Sequence, residues 1–368
     1  MVKPMEEITK PLLASIPTGA VEASNQTETL TGYKSQVMQL QPGAVQLPLQ
    51  AELASLASAT TWLNSPHLTA ADLRGKVVLI DFWTYTCINW RRTLPYVRAW
   101  AEKYKQQGLV VIGVHSPEFT FEKDLANVRQ AMLTMKVNYP VVIDNDYAIW
   151  QAFSNHYWPA LYIVDAKGQV RHHQFGEGYY EQAEMIIQKL LAEAGFDGVP
   201  HELVSVEGQG VEAAADWGSL RSFENYTTYE QTANFLSPGG AILDKPAFYR
   251  IPARLKLNHW ALSGNWTVGK QAVLLNEAGG RLAYRFHARD LHLVMGPSTP
   301  GSSVRFRVWL DGQAPGPAHG IDLDDQGYGT LNEQRLYQLI RQPGRVADHQ
   351  FAIEFSEAGV EVFVFTFG

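Results

Sequence analysis

The stretch Val77-Val78-Leu79-Ile80-Asp81-Phe82-Trp83-Thr84-Tyr85-Thr86-Cys87-Ile88-Asn89-Trp90 constrains the fold more than any other part of the chain. Its first seven residues form a near-continuous apolar run broken only by Asp81, the pattern of a strand buried on both faces. The sole cysteine of the protein follows. After it, Leu94, Val97, Ala101 and Tyr104 recur at helical spacing. A strand that delivers a cysteine to a helix N-terminus favours the thiolate, because the dipole and the free N–H groups face the sulfur. A lowered Cys87 pKa is therefore the expectation. Pro95 falls inside this helix, where it is expected to kink it, and Gly108 is placed to end it.

The alternation of strands and helices continues downstream. Residues 109–114 read as a buried strand, and 121–136 as an amphipathic helix with Leu125, Val128, Met132 and Met135 on one face. A strand over 139–144 and a short helix over 146–153 follow. Residues 161–175 read as two strands around Ala166-Lys167-Gly168, and 181–195 as a closing helix with a glycine stop. This order predicts a mixed α/β sheet covered on both faces, with the domain spanning 50–195. Before it, residues 1–49 read as an arm or linker, 51–60 as a short helix, and Trp62 to Gly75 as a hairpin or loop.

Composition shifts after Gly195. Residues 196–221 read as a linker. From 222 to 368 the helical signal is gone, and short runs such as RLAYRFH, LHLVMG, SVRFRVWL, RLYQLIR and VEVFVFTF recur between turns, among them Gly279-Gly280 and Asp311-Gly312. That spacing predicts an all-β sandwich of jelly-roll type. Two domains suit 368 residues, and the net charge of −7 gives no reason to expect nucleic acid. The segment MVKPMEEITK lacks the apolar stretch of a signal peptide, as expected of a cytosolic protein or of a trimmed form.

Asp81, Trp83, Cys87 and Pro95, with Tyr157-Trp158-Pro159 immediately before the strand LYIVD, form a set that resembles the thioredoxin superfamily. Residues 50–195 look like its TlpA/ResA and DipZ-like branch, and DFWTYTCIN followed by RTLPYVRAWAEKY is close to the DipZ-like form of the motif. The resemblance implies roles. Cys87 matches the nucleophilic cysteine. Asp81 matches the buried acid that moves protons to and from a second thiol, and Pro159 matches a cis-proline facing the cysteine, beside Trp158 backbone groups that pair with an extended substrate. Trp83 and Tyr85 would wall the site. The resemblance also implies disulfide-containing client proteins, a membrane electron donor of the CcdA/DsbD kind, an extracytoplasmic location and no cofactor. Trp90 stands where the family has its second cysteine. Indole cannot attack a mixed disulfide, so the intramolecular dithiol–disulfide cycle is excluded, and a mixed disulfide at Cys87 would persist until an outside thiol cleaved it. Trp90 would cover the sulfur or offer a partner an apolar patch.

Two further readings stand beside this one. Thr84-x-x-Cys87 matches half of a peroxiredoxin pattern, although Ile80 occupies its proline position, so a single-cysteine peroxidase is an alternative. A redox-inactive scaffold is the other. The segment from NHWALSGNWTVG to FVFTFG resembles the C-terminal module of DipZ-like proteins, which looks like a carbohydrate-binding-module jelly roll. Glycan platforms there would be Trp260, Trp266, Trp309, Tyr328 and Tyr337, against the reading that they are core aromatics. Asp322, Asp324 and Asp325 with Gly327 have calcium-like density, although an acidic turn is the preferred reading. His172 and His173 fall on opposite strand faces and so share no metal, while His115 and Glu118 sit on a strand-end loop that could flank the site.

Overall fold

Strand β2 (Val77–Trp83) is buried along its whole length, and its alternation builds both layers of the first domain. Val77, Leu79 and Trp83 meet Leu94, Val97, Trp100, Ile187 and Leu191 on one face. Val78, Ile80 and Phe82 meet Leu73, Ile149 and Phe153 on the other. Each such side chain contributes about 1.5–3 kcal/mol by leaving water. The computed structural model describes residues 61–368 together with 55, 56 and 59. The expected arm at 1–49 and most of the expected helix at 51–60 lie outside the described residues.

The sheet runs β1-β4-β3-β2-β5-β6, with β1 at Trp62–Leu63, β3 at Leu109–His115, β4 at Val141–Ile143, β5 at Ala160–Val164 and β6 at Val170–Phe175. β2, β3 and β4 are parallel, whereas β5 and β6 are antiparallel. The 62–75 stretch is not a hairpin. Trp62 pairs with Val142 of β4, and α1 (Ala70–Leu73) starts from a capping box at Thr69 and Asp72. Helix α2 (Ile88–Lys103) begins directly after Cys87 and contains Pro95. The helix expected over 121–136 divides into a 3-10 turn at Thr120–Lys123 and α3 (Leu125–Thr134), because the Asp124 side chain accepts from Ala126 N at 2.7 Å and starts a new helix. α4 (Ala148–Ala152) and α5 (Tyr180–Glu193) complete the layers.

Residues 196–221 carry little regular structure, yet they are tied down. Glu184 accepts from Val204 N at 2.9 Å, and Glu212 takes both terminal nitrogens of Arg98 at 3.0 and 2.6 Å.

In the C-terminal part every pair of named strands is antiparallel. Its strands are β7 (Asn225–Tyr226), β8 (Pro246–Tyr249), β9 (Trp260–Val268), β10 (Val273–Leu275), β11 (Arg281–His287), β12 (Asp290–Pro297), β13 (Val304–Leu310), β14 (Tyr328–Leu331), β15 (Arg335–Arg341), β16 (Asp348–Phe355) and β17 (Val360–Phe367). One path runs β14-β13-β16-β11-β9 and the other β9-β10-β17-β12-β15, so β9 belongs to both. Trp260, Trp266, Tyr284, Phe286, Phe351 and Phe365 fill the space between them. β9, the longest strand of this part, is one that the sequence reading missed, as are the short β7 and β14. Ser263, Gly264 and Asn265 interrupt its apolar alternation, and Gly264 sits at φ +95, a conformation that suits glycine.

The two domains meet along a buried seam of Ile88 and Phe119 against Val294, Leu336, Phe363 and Val364, with Val211 of the connecting segment between them. The Phe119 and Phe363 rings lie 5.1 Å apart. Arg92 crosses the seam: it donates to the Phe367 carbonyl at 2.9 Å and pairs with Glu177 at 3.0 Å. Among the described residues no helix is long and apolar enough to cross a membrane.

Candidate active site

Chain geometry brings Cys87 and Pro159 to the same end of the sheet. Phe82 pairs with Ala160, so Pro159 lies beside Trp83, where β2 turns toward the cysteine. The Trp158–Pro159 peptide bond is cis. Trp158 is half-buried: its indole donates to the Ser116 carbonyl at 3.0 Å, and its ring lies 4.3 Å from that of Trp150.

Trp90 is fully buried. Its indole stacks on Trp83, with centroids 4.4 Å apart and planes 23° apart, and its Nε1 donates to Asp81 Oδ2 at 3.0 Å. Tyr139 donates to the same oxygen at 3.2 Å. Burial pushes the Asp81 carboxyl up to about 7, against the lowering effect of those two hydrogen bonds. Asp81 is thus a buried acid, and the group bonded to it is an indole N–H, which does not ionise at ordinary pH. Trp90 fills the interior and offers no patch to a partner. Trp83 and Tyr85 are likewise core residues rather than walls of an open cleft. Gly113 makes room for this arrangement, since a Cβ there would come within 2.8 Å of Trp83 Nε1. His115 does not flank the site either. It is fully buried against Trp83 and Tyr85, and burial lowers its pKa to about 3, so it is neutral.

The expected lowering of the Cys87 pKa is reversed. Cys87 is partly exposed as a residue, yet its sulfur lies deep among protein atoms. Burial pushes the thiol well up, and the charges of Glu118 and Glu224 push it further, outweighing the backbone N–H groups of Trp90 and Asn89. Glu122 organises the loop that carries Glu118: it accepts from Thr86 Oγ1 at 2.5 Å, from Glu118 N at 2.6 Å and from Phe119 N at 2.9 Å. Glu122, Glu224 and Tyr226 were not singled out by sequence. Glu122 reads as a helix-surface residue, and Glu224 and Tyr226 come from the other domain, where nothing local signals proximity to Cys87.

A model of the AhpC/TSA family matches residues 58–173, and a model described as a thioredoxin like C-terminal domain matches residues 222–368. The thiol-disulfide oxidoreductase YkuV of Bacillus subtilis (strain 168) is 32% identical over 148 residues, which span 40% of this chain and 99% of that protein. The chain belongs to the thioredoxin-like thiol-disulfide oxidoreductase family. Protein DipZ of Mycobacterium bovis is 34% identical over 342 residues and matches 92% of this chain. The chain spans 46% of the length of that DipZ protein. A solution structure of a thioredoxin-like protein in the oxidized form shares 34% identity, covering 36% of this chain and 88% of that one with a TM-score of 0.34.

In this thioredoxin-like chain the β-module separates its candidate aromatics by burial. Trp260, Trp266 and Tyr337 are fully buried and cannot serve as ligand platforms. Trp309 is half-buried on the outward sheet face, with the guanidinium groups of Arg281 and Arg307 each 5.2 Å from its ring. Tyr328 is 40% exposed beside Arg307. The acidic turn is internally satisfied. Asp322 pairs with Arg335 at 2.7 Å, and Asp324 Oδ1 accepts from Gln326 N at 3.0 Å and Tyr328 N at 2.8 Å. Asp325 is exposed, and among the described residues no group of three potential ligands converges on a metal position. His172 and His173 point to opposite faces of β6.

Proposed function

We propose that this protein is an extracytoplasmic thiol-disulfide oxidoreductase working through one sulfur. The carrying observation is that the Trp90 indole, bonded to Asp81, fills the interior one turn from Cys87, the sole cysteine, at the start of α2; that Trp90 stands at the family's resolving position is what the resemblance implies. The Cys87 thiolate attacks a disulfide of a client protein. One client sulfur joins Cys87, and the other leaves as a thiol. An outside thiol then cleaves the mixed disulfide and restores Cys87. A membrane reductant of the CcdA/DsbD kind would supply those electrons, as resemblance to DipZ-like proteins implies. The outward face around Trp309 and Tyr328 is where the β-module would take a glycan, because those rings remain accessible.

The test is intact-mass analysis of the full chain after incubation with a disulfide-bearing peptide or oxidised glutathione. A single adduct is expected that Cys87→Ser abolishes and that persists until dithiothreitol is added. Absence of an adduct would leave the redox-inactive scaffold. Catalytic consumption of hydrogen peroxide without disulfide exchange would favour the single-cysteine peroxidase. A glycan array with and without Trp309→Ala tests the β-module, and identical empty arrays would remove glycan from the account.

A further inference from the structure

The outward face of the β-module carries basic groups in an order that the Cys87 site does not use. Along β13 the side chains of Val304, Phe306 and Val308 are buried, so Arg305, Arg307 and Trp309 share the outward face. Register extends this column into rows. Arg307 and Arg281 both lie opposite Glu354 of β16, and Tyr328 of β14 pairs with Arg307 on its other side. Trp309 lies opposite Ala352, which pairs in turn with Ala283.

Rings and guanidinium groups interleave on this face. Arg281 and Arg307 each lie 5.2 Å from the Trp309 ring. Arg307 lies 4.7 Å from the Tyr328 ring, and Arg305 lies 5.7 Å from it. A guanidinium held by an aromatic ring is preorganised, and its remaining N–H groups can take an oxyanion in a two-bond fork. Glu354 is committed to Arg281. Among the described residues Arg305 and Arg307 pair with no carboxylate, and Arg307 donates only its Nε, to the Gln326 carbonyl at 3.3 Å. These two uncompensated cations stand about 7 Å apart along one strand. They do so in a chain of net charge −7.

The next outward row pairs Gln350 with Arg285, and there the face runs into a cleft of about 400 Å³ lined by Arg285, Asp311, Gly312, Asp348, His349 and Gln350. Its acids are already partnered: Asp348 by Arg285 at 3.3 Å and His287 at 2.6 Å, and Asp311 by His349 at 2.6 Å. The cleft thus presents neutralised polar groups and an amide, which suit hydroxyls.

We propose that this face, from Arg305 through Trp309 to the cleft at Gln350, binds an acidic glycan, a polysaccharide carrying carboxylate groups along its length. This rests on the glycan reading above and names its ligand class. Arg305 and Arg307 take the anionic groups, Tyr328 and Trp309 hold the guanidinium groups in place, and the cleft receives hydroxyls. A lipid surface fits less well, because it is met by inserted apolar side chains and not by a concave polar cleft.

The test is affinity electrophoresis of the full chain in native gels containing polygalacturonate, alginate or hyaluronate, with methyl-esterified pectin and dextran as uncharged counterparts. Retardation by an acidic polymer, absent with the uncharged ones and fading from about 50 mM to about 500 mM salt, is expected. Arg305→Gln and Arg307→Gln should each weaken it about tenfold, the loss of one charge-assisted bond. Arg129→Gln, the same charge change at an exposed position of α3, should leave it unchanged. Retardation that survives both Gln variants, or that Arg129→Gln reduces equally, would overturn the proposal. Retardation by dextran or esterified pectin that Trp309→Ala alone removes would keep the glycan reading and overturn its acidic form. No retardation by any polymer would refute both, and co-sedimentation with phosphatidylglycerol vesicles in that case would assign the face to lipid.

Discussion

Replacing Asp81 with asparagine should remove one pH-dependent part of the protein's stability. The carboxyl is fully buried and pushed from 3.8 up to about 7, because burial outweighs its bonds to Trp90 and Tyr139. The native state therefore holds this proton more tightly than the unfolded chain. The stability tied to it is fully present below about pH 4 and is lost as pH rises through about 7. A shift of about three units at about 1.4 kcal/mol each makes the loss roughly 4 kcal/mol. Urea unfolding followed by tryptophan fluorescence at several pH values, on wild type and Asp81→Asn, gives the measurement, since Trp83, Trp90 and Trp100 are buried close to this carboxyl's layer. Glu118, Glu122 and Glu224 are also raised, but they are common to both proteins, so the difference between the two curves isolates Asp81. The curves should approach each other near pH 4, with the variant the more stable by a few kcal/mol near pH 8. Curves that stay parallel to within about 0.5 kcal/mol across that range would refute a protonated, buried Asp81.

Trp90→Cys should cost about 3–5 kcal/mol, because it empties a fully buried indole site and takes one donor from Asp81; denaturant titration reads the cost. The same variant should reduce an insulin substrate over multiple turnovers faster than the wild type does, measured by turbidity. Alkylation of Cys87 by iodoacetamide should keep accelerating beyond about pH 9, where a free thiol of pKa about 8.5 has levelled off. Glu212→Ala should destabilise by about 1 kcal/mol in low salt and by less in high salt, since the Arg98–Glu212 pair is partly exposed. Hydrogen exchange at Gly210–Glu212 should quicken in that variant.

The order of elements in the first domain was legible because one period governs each segment. The apolar run at 77–83 reflects burial by layers on both faces, and the helical stripe after Cys87 burial on one. Where two signals compete, reading is harder. Asp124 restarts a helix in the middle of an amphipathic stretch, and Gly264 breaks the alternation of β9 while the backbone continues as strand. The site divides in the same way. Cys87, Asp81 and Pro159 stand in a local motif, so their neighbourhood could be expected. The bond between Trp90 and Asp81 needs the β2 and α2 side chains in three dimensions. The raised Cys87 pKa could not be read at all, since the helix N-terminus argues for a lowered one and the opposing carboxyls of Glu118 and Glu224 converge only after two domains pack.

Ile88 follows Cys87 directly and is buried among residues of both domains. The covalent neighbour of the Cys87 sulfur is thus a piece of the joint. A graft of the first domain onto another partner module would inherit the motif but lose the chemical environment of its cysteine.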